Sequence, residues 1–233
     1  MVSALIVGAG ASTRMGTGVD KLFIELAGRP VLAHTWARFD GAACIDEIVL
    51  VVREEQVGRV RELAVRFGFA KPYRVVLGGA HRQDSVWNGL QALSALAELV
   101  AIQDAARPCT PIELITATVE AARDVGAAVA AQPLTDTIKE SANGSFVLRT
   151  LDRARLWAVQ TPQTFRVEII KRAISEARMR GLRFTDDTAA CELIGQPVRL
   201  VASDCPNPKL TRPGDMAYIE FLLQQQAQSA SKG

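Results

Sequence analysis

Short runs of β-branched and aliphatic residues alternate with amphipathic helical stretches along most of this chain, and that order constrains its fold more than any other feature. A strand followed by a covering helix and then a further strand pairs in parallel. Residues 4–7, 47–52, 73–77, 99–102 and 127–130 read as such strands, with helices expected over residues 31–39, 54–67, 83–96 and 112–125. Continuous apolar strands are buried on both faces. The pattern therefore predicts an α/β fold with a doubly wound, mostly parallel sheet, and places ligands at the carboxyl ends of its strands.

The alternation breaks at Gln132. Residues 133–140, a turn at Asn143-Gly144 and a second extended run over 146–150 read as a β-hairpin with polar residues on both faces. Such a hairpin is unsuited to a core; it predicts a projecting arm at about 133–154 that pairs with another subunit or lies as an exposed loop. Helices are expected again near 167–180, 186–194 and 213–223, with a strand at 198–202. The polar, low-complexity segment 224–233 is expected to be disordered, leaving residues 1–223 as a single domain.

Composition removes several classes. With 48% hydrophobic and 22% charged residues the chain is an ordinary globular one. Lys plus Arg at 27 against Asp plus Glu at 25 leaves only +2, too balanced for a general nucleic-acid or anionic-membrane binder. No apolar stretch approaches the roughly 18 residues of a membrane span. The start, Met1-Val2-Ser3-Ala4, lacks a basic leader region, so a cytoplasmic location is expected. Cys44, Cys109, Cys191 and Cys205 form no CxxC pair and are expected to be buried free thiols. The only histidines, His34 and His81, have no metal-ligand spacing and are read as structural.

The motifs sit where such a sheet would bind ligands. After the first strand come Gly8-Ala9-Gly10-Ala11-Ser12-Thr13-Arg14-Met15-Gly16 and then Lys21. A small-residue loop lets backbone N–H groups approach phosphate oxygens, and Arg14 and Lys21 supply the positive charge. It is neither a Walker A loop nor a dinucleotide fingerprint, because no Gly-Lys-Ser/Thr follows and Thr13 stands at the third glycine. Gly78-Gly79 with Ser85 suits a nucleobase edge, although Asp84 or Ser85 also reads as a helix cap. Asp104 and Arg107 follow the fourth strand at the switch region.

In order, these motifs resemble the 2-C-methyl-D-erythritol 4-phosphate cytidylyltransferase family. The resemblance runs from about Leu5 to Phe221 and adds Asp136-Thr137, Asp152-Arg153, Thr161-Pro162-Gln163, Thr185-Asp186 and Lys209-Leu210-Thr211-Arg212-Pro213. It departs where Val7, Gly8 and Ser12 stand in the loop, at Ala80 after the paired glycines, and at Gln103, where His is frequent. The resemblance implies a Rossmann-like nucleotidyltransferase fold and transfer of a cytidylyl group from CTP to methylerythritol phosphate with Mg²⁺ as cofactor. It implies catalytic roles for Arg14, Lys21 and Lys209, and nucleotide binding by Gly8, Ala9, Gly10, Gly79, Ala80 and Ser85. Asp104, Arg107, Thr137, Arg153 and Thr161 would bind the acceptor, some of them reaching it from the arm of the other subunit in a homodimer. The metal would be held mainly by the triphosphate, with no protein ligand assigned and Asp104 the one candidate.

Two other readings fit parts of this sequence. A ribitol 5-phosphate cytidylyltransferase shares the fold and the loop. A non-catalytic nucleotide-binding module is opposed by Thr13, and by Arg53 at the end of the second strand where an acid for the ribose is expected.

Overall fold

A computed structural model describes residues 1–10, 13–16 and 18–230 of the chain. The first half runs β1 (Val2–Val7), β2 (Glu25–Leu26), β3 (Arg29–Pro30), α1 (Val31–Gly41), β4 (Glu47–Val52), α2 (Val57–Phe67), β5 (Tyr73–Leu77) and α3 (Arg82–Gln91). The second half runs β6 (Leu99–Asp104), α4 (Ile112–Val125), β7 (Ala127–Pro133), β8 (Lys139–Glu140), β9 (Arg149–Thr150), β10 (Trp157–Arg166), α5 (Val167–Met179), α6 (Asp187–Leu193), β11 (Arg199–Ala202) and α7 (Met216–Ala230).

Seven strands form one sheet in the order β11-β7-β10-β6-β1-β4-β5. β4, β1 and β6 pair in parallel, as their continuous apolar runs predict, and every residue of β4 and β6 is buried. Side chains alternate between the two faces. Ala4, Ile6, Ile48, Leu50 and Val52 meet Trp36 and Phe39 of α1, Val60 of α2, Ile115 of α4 and Ile219 of α7. Leu5, Val49 and Val51 point the other way, to Val86 and Leu90 of α3, Ile170 and Ile174 of α5, and Cys191 of α6. Period-two burial thus gives the sheet its helical cover on both faces.

The chain steps from β1 outward to β4 and β5, then returns to place β6 on the other side of β1. Neighbouring connections therefore leave in opposite directions at the carboxyl ends of β1 and β6, which opens a crevice there.

Three expectations need correction. The sheet contains a strand beyond those the sequence pattern predicts: β10 runs antiparallel between β6 and β7. Its Pro162 and its polar Gln160, Thr161, Gln163 and Thr164 disguise it, since proline lacks the ladder donor. Pro162 is accommodated where the β7 register shifts between Val159 and Gln163, and the Thr161–Pro162 peptide is cis. Residues 224–230, expected to be disordered, continue α7 as helix, and Gln226 ties that helix to the Cys109 carbonyl at 3.1 Å and to Arg38. The remaining tail residues, 231–233, lie outside the described residues. Cys205 is exposed rather than buried, because it sits on the irregular segment after β11. Cys109 and Cys191 are buried, and burial pushes their thiols up to about 11 and about 12.

β8 and β9 pair antiparallel around the Asn143-Gly144 turn, with Gly144 at positive φ and Asn143 Oδ1 accepting from Ser145 N at 3.0 Å. Phe146, Val147 and Leu148 of this hairpin are exposed.

Candidate active site

The crevice holds a cavity of about 330 Å³ bordered by Gly8, Ala9, Gly10, Arg14 and Lys21 from the first loop, by Gly79 to Arg82 and Ser85, and by Asp104 and Lys209. A site of this size suits a small ligand.

Glycine is required where the loops after β1 and β5 touch. A Cβ on Gly78 would lie 2.2 Å from the Ala9 Cβ, and one on Gly8 would lie 2.7 Å from Leu22 Cδ1. Backbone hydrogen bonds continue the sheet into both loops, Gly8 N to Val51 O at 2.7 Å and Gly78 N to Val52 O at 2.9 Å. The Ser85 hydroxyl accepts from Gly79 N and donates to His81 O, each at 3.1 Å. It holds the turn that carries the glycines, which gives the helix-cap and nucleobase readings a common geometry.

Lys21 opens a 3-10 turn whose cap is Asp20, which accepts from Leu22 N at 3.2 Å. Arg53 and Gln56 hold the other Asp20 oxygen at 2.9 and 2.7 Å. The acid beside Lys21 is thus engaged elsewhere, and Lys21 Nζ donates to Leu210 O at 3.0 Å. Burial lowers the Lys21 pKa, reinforced by Lys209 and Arg14 against the opposing pull of Asp104 and Asp20.

Asp104, the last residue of β6, is the hub. Lys209 Nζ lies 2.8 Å from its Oδ2, Arg107 Nε 3.4 Å from the same oxygen, and Arg82 Nε 3.7 Å from Oδ1. Burial pushes the Asp104 carboxyl up, but Lys209, Arg82 and Arg107 outweigh it and hold it down at about 2. Arg82 also reaches Asp187 Oδ2 at 2.7 Å. Burial opposes the Arg82 charge, yet Asp187 and Asp104 raise its pKa above the ordinary guanidinium range.

The structure brings Gly8, Ala9, Gly10, Arg14, Lys21, Gly79, Ala80, Ser85, Asp104 and Lys209 to one cavity. It does not line that cavity with Arg107, Thr137, Arg153 or Thr161. Arg107 lies behind Asp104 and donates from Nη1 to Asn207 O at 2.6 Å. Thr161 is buried in β10, and its hydroxyl accepts from Asp104 N at 3.0 Å. Thr137 is exposed beside β8, and Arg153, exposed after β9, donates to Thr135 O. Residues Ala11 and Ser12 of the loop lie outside the described residues.

Arg82, His81 and Thr211 also border the cavity without having been singled out for a role. Arg82 was legible as the cation that follows the paired glycines. Nothing in the sequence signalled Asp187 as its buried partner, because that contact spans 105 positions.

Among the described residues no group of three or more His, Cys, Asp or Glu side chains is placed to hold a metal ion. Asp104 is the one carboxylate among the described residues that line the cavity, and its oxygens face cations. This donor set builds no protein cage for magnesium, but it fits an ion that arrives on phosphate oxygens and keeps its water.

The depressed Asp104 pKa makes a signed prediction. A carboxyl whose folded pKa lies below its unfolded value stabilises the fold above about pH 4 and loses that contribution as pH falls towards about 2. Its full worth is about 2 kcal/mol. Asp104→Asn should lower unfolding stability at pH 7 by roughly that amount in urea titrations and flatten the decline between pH 4 and 2. An unchanged acid limb in the variant would refute the assignment.

Comparison with known proteins accounts for this arrangement. The profile of the family described as "IspD: 2-C-methyl-D-erythritol 4-phosphate cytidylyltransferase" matches residues 2–225. A 2-C-methyl-D-erythritol 4-phosphate cytidylyltransferase from Pelotomaculum thermopropionicum is 41% identical over 223 residues, covering 95% of this chain and 94% of the relative. A bifunctional IspD/IspF enzyme from Desulforudis audaxviator is 46% identical over 221 residues, covering 94% of this chain but 56% of that longer protein. The crystal structure of a 4-diphosphocytidyl-2C-methyl-D-erythritol synthase from Anaerococcus prevotii superposes with a TM-score of 0.85 at 29% identity, covering 96% of each chain. With the match running through every segment that borders the basic crevice, the chain belongs to the 2-C-methyl-D-erythritol 4-phosphate cytidylyltransferase family and is a nucleotidyltransferase acting on CTP.

Proposed function

We propose that the chain transfers the cytidylyl group of CTP to 2-C-methyl-D-erythritol 4-phosphate by in-line displacement, giving 4-diphosphocytidyl-2-C-methyl-D-erythritol and pyrophosphate. The convergence of Arg14, Lys21, Arg82 and Lys209 on one cavity carries this reading. An oxygen of the acceptor phosphate attacks the α-phosphorus, the bond to the bridging oxygen of the β-phosphate breaks, and pyrophosphate leaves with that electron pair. The nucleophile is anionic already, so no side chain has to remove a proton. The chemical problem is repulsion between two polyanions, and catalysis lies in alignment and charge neutralisation.

Arg14 and Lys21 receive the triphosphate and the departing pyrophosphate, while Lys209 faces the α-phosphate. Burial and the neighbouring cations lower the Lys21 pKa, and an arriving polyanion would strengthen its charge again. Backbone groups of Gly8 to Gly10 and of Gly79 and Ala80 border the base and sugar. Asp104 accepts from acceptor hydroxyls and would be the residue able to lend an oxygen to a bound metal. Magnesium bound to the triphosphate neutralises phosphate charge when present.

Thr137 and Arg153 belong to the arm, which makes them candidates for the site of a second copy. The exposed Phe146, Val147 and Leu148 support this, since three adjacent apolar side chains at the arm's end gain from burial against a partner. The proposed enzyme is thus a homodimer. Among the described residues no helix is long and apolar enough to cross a membrane. A cytoplasmic location goes with this reading, because CTP and a sugar phosphate do not cross a bilayer unaided.

The reading is tested by pyrophosphate release from CTP with methylerythritol phosphate or ribitol 5-phosphate as acceptor. Turnover with the former, its loss on chelation and its return with Mg²⁺ are expected; turnover with ribitol 5-phosphate alone would transfer the assignment to that acceptor. Lys21→Ala should lower kcat on the order of 10²-fold while changing the KM for CTP much less, as expected for charge used in the transition state. Near-normal turnover would remove Lys21 from the mechanism. Arg153→Ala should raise the acceptor KM or lower kcat and leave CTP binding intact. Unchanged steady-state constants for both substrates would exclude the arm from the site.

A further inference from the structure

Lys209 has to be held in place although it lies on neither helix nor strand: the chain between β11 and the 3-10 turn Pro213–Asp215 is irregular. A flexible cation on a loop positions an anion poorly unless the backbone beneath it is fixed. On the far side of Lys209, Leu210 is fully buried, its N–H donates to Ala106 O at 2.8 Å, and its carbonyl accepts from Lys21. On the near side stands Asn207, a polar residue only 1% exposed.

The Asn207 side chain joins two other parts of the fold. Its Nδ2 donates to Thr161 O at 2.8 Å, at the irregularity of β10, and its Oδ1 accepts from Thr110 Oγ1 at 2.9 Å, on the loop after β6. Its backbone carbonyl accepts from Arg107, whose other contact is Asp104. Gln103 Nε2 donates to Thr110 Oγ1 at 2.8 Å and completes the support. A carboxamide can donate and accept at once, whereas a carboxylate offers only acceptors and alanine neither. Thr161 and Arg107 also contact Asp104 directly, so both sides of the Asp104–Lys209 pair rest on the same buried group.

We propose that Asn207 is a positioning residue for cytidylyl transfer: its carboxamide fixes the segment that presents Lys209 to the reacting phosphates. The inference rests on the role given to Lys209 in the proposed mechanism. It goes further by identifying the buried amide through which that role is exercised.

A double-mutant cycle tests it, with kcat expressed per folded site from parallel unfolding curves. Asn207→Ala should lower kcat about 10- to 100-fold, the cost of displacing a reacting group by roughly 1 Å. In a Lys209→Ala background the same substitution should cost less than about threefold, because the group it positions is gone. A purely structural role would lower stability and leave kcat per folded site unchanged, and that result would overturn the proposal. Equal fold-losses in both backgrounds would do so too. If Asn207→Ala does not fold, Thr110→Val removes the donor to Oδ1 at nearly constant volume and should show the same non-additivity. Normal kcat in Lys209→Ala itself would remove the role of Lys209 and the inference together, whereas damage there with a normal Asn207→Ala enzyme would defeat the inference alone.

Discussion

A buried carboxylate at the end of β6 draws Lys209, Arg107 and Arg82 towards one point. Without it the crevice would gather like charges that repel one another and are costly to remove from water. With it, those cations are assembled before any ligand arrives. An arrangement assembled in advance does not have to be rebuilt when an anion enters, which is the sense in which a basic site is preorganised.

That carboxylate depends on the sheet. Asp104 is a strand residue, flanked by Val7 of β1 in parallel register, and its N–H is taken up by Thr161 of β10. The antiparallel strand is therefore more than extra cover. Its irregular stretch delivers a hydroxyl under Asp104 and a carbonyl to Asn207. Glycine makes the opposite kind of contribution, by absence: without a side chain at Gly78, the loops after β1 and β5 can lie against each other.

The two kinds of acidic residue near the crevice act differently. Asp20 and Asp187 are each occupied by an arginine, Asp20 by Arg53 and Asp187 by Arg82. Asp20 shapes the turn that aims Lys21 and leaves that ammonium for other partners. Asp104 alone among these acids is shared by several cations.

Sequence periodicity by itself determined β1, β4, β6 and β7, whose largely apolar runs are buried on both faces, and β5, whose apolar Val75-Val76-Leu77 run survives at the exposed edge of the sheet. The order of short motifs singled out Arg14, Lys21, Asp104 and Lys209. It could not reveal β10, whose proline and polar side chains read as a loop, or the last turns of α7, whose glutamines carry no apolar period. Only the tertiary structure decided which groups meet: that Lys209 faces Asp104, that Arg82 is shared with Asp187, and that Asn207 lies beneath both sides of the pair. Backbone propensity and hydrophobic pattern act over a few residues and leave a signature in the chain. Ion pairs and buried side-chain hydrogen bonds join segments from about fifty to nearly two hundred positions apart, and their geometry exists only after the sheet has formed.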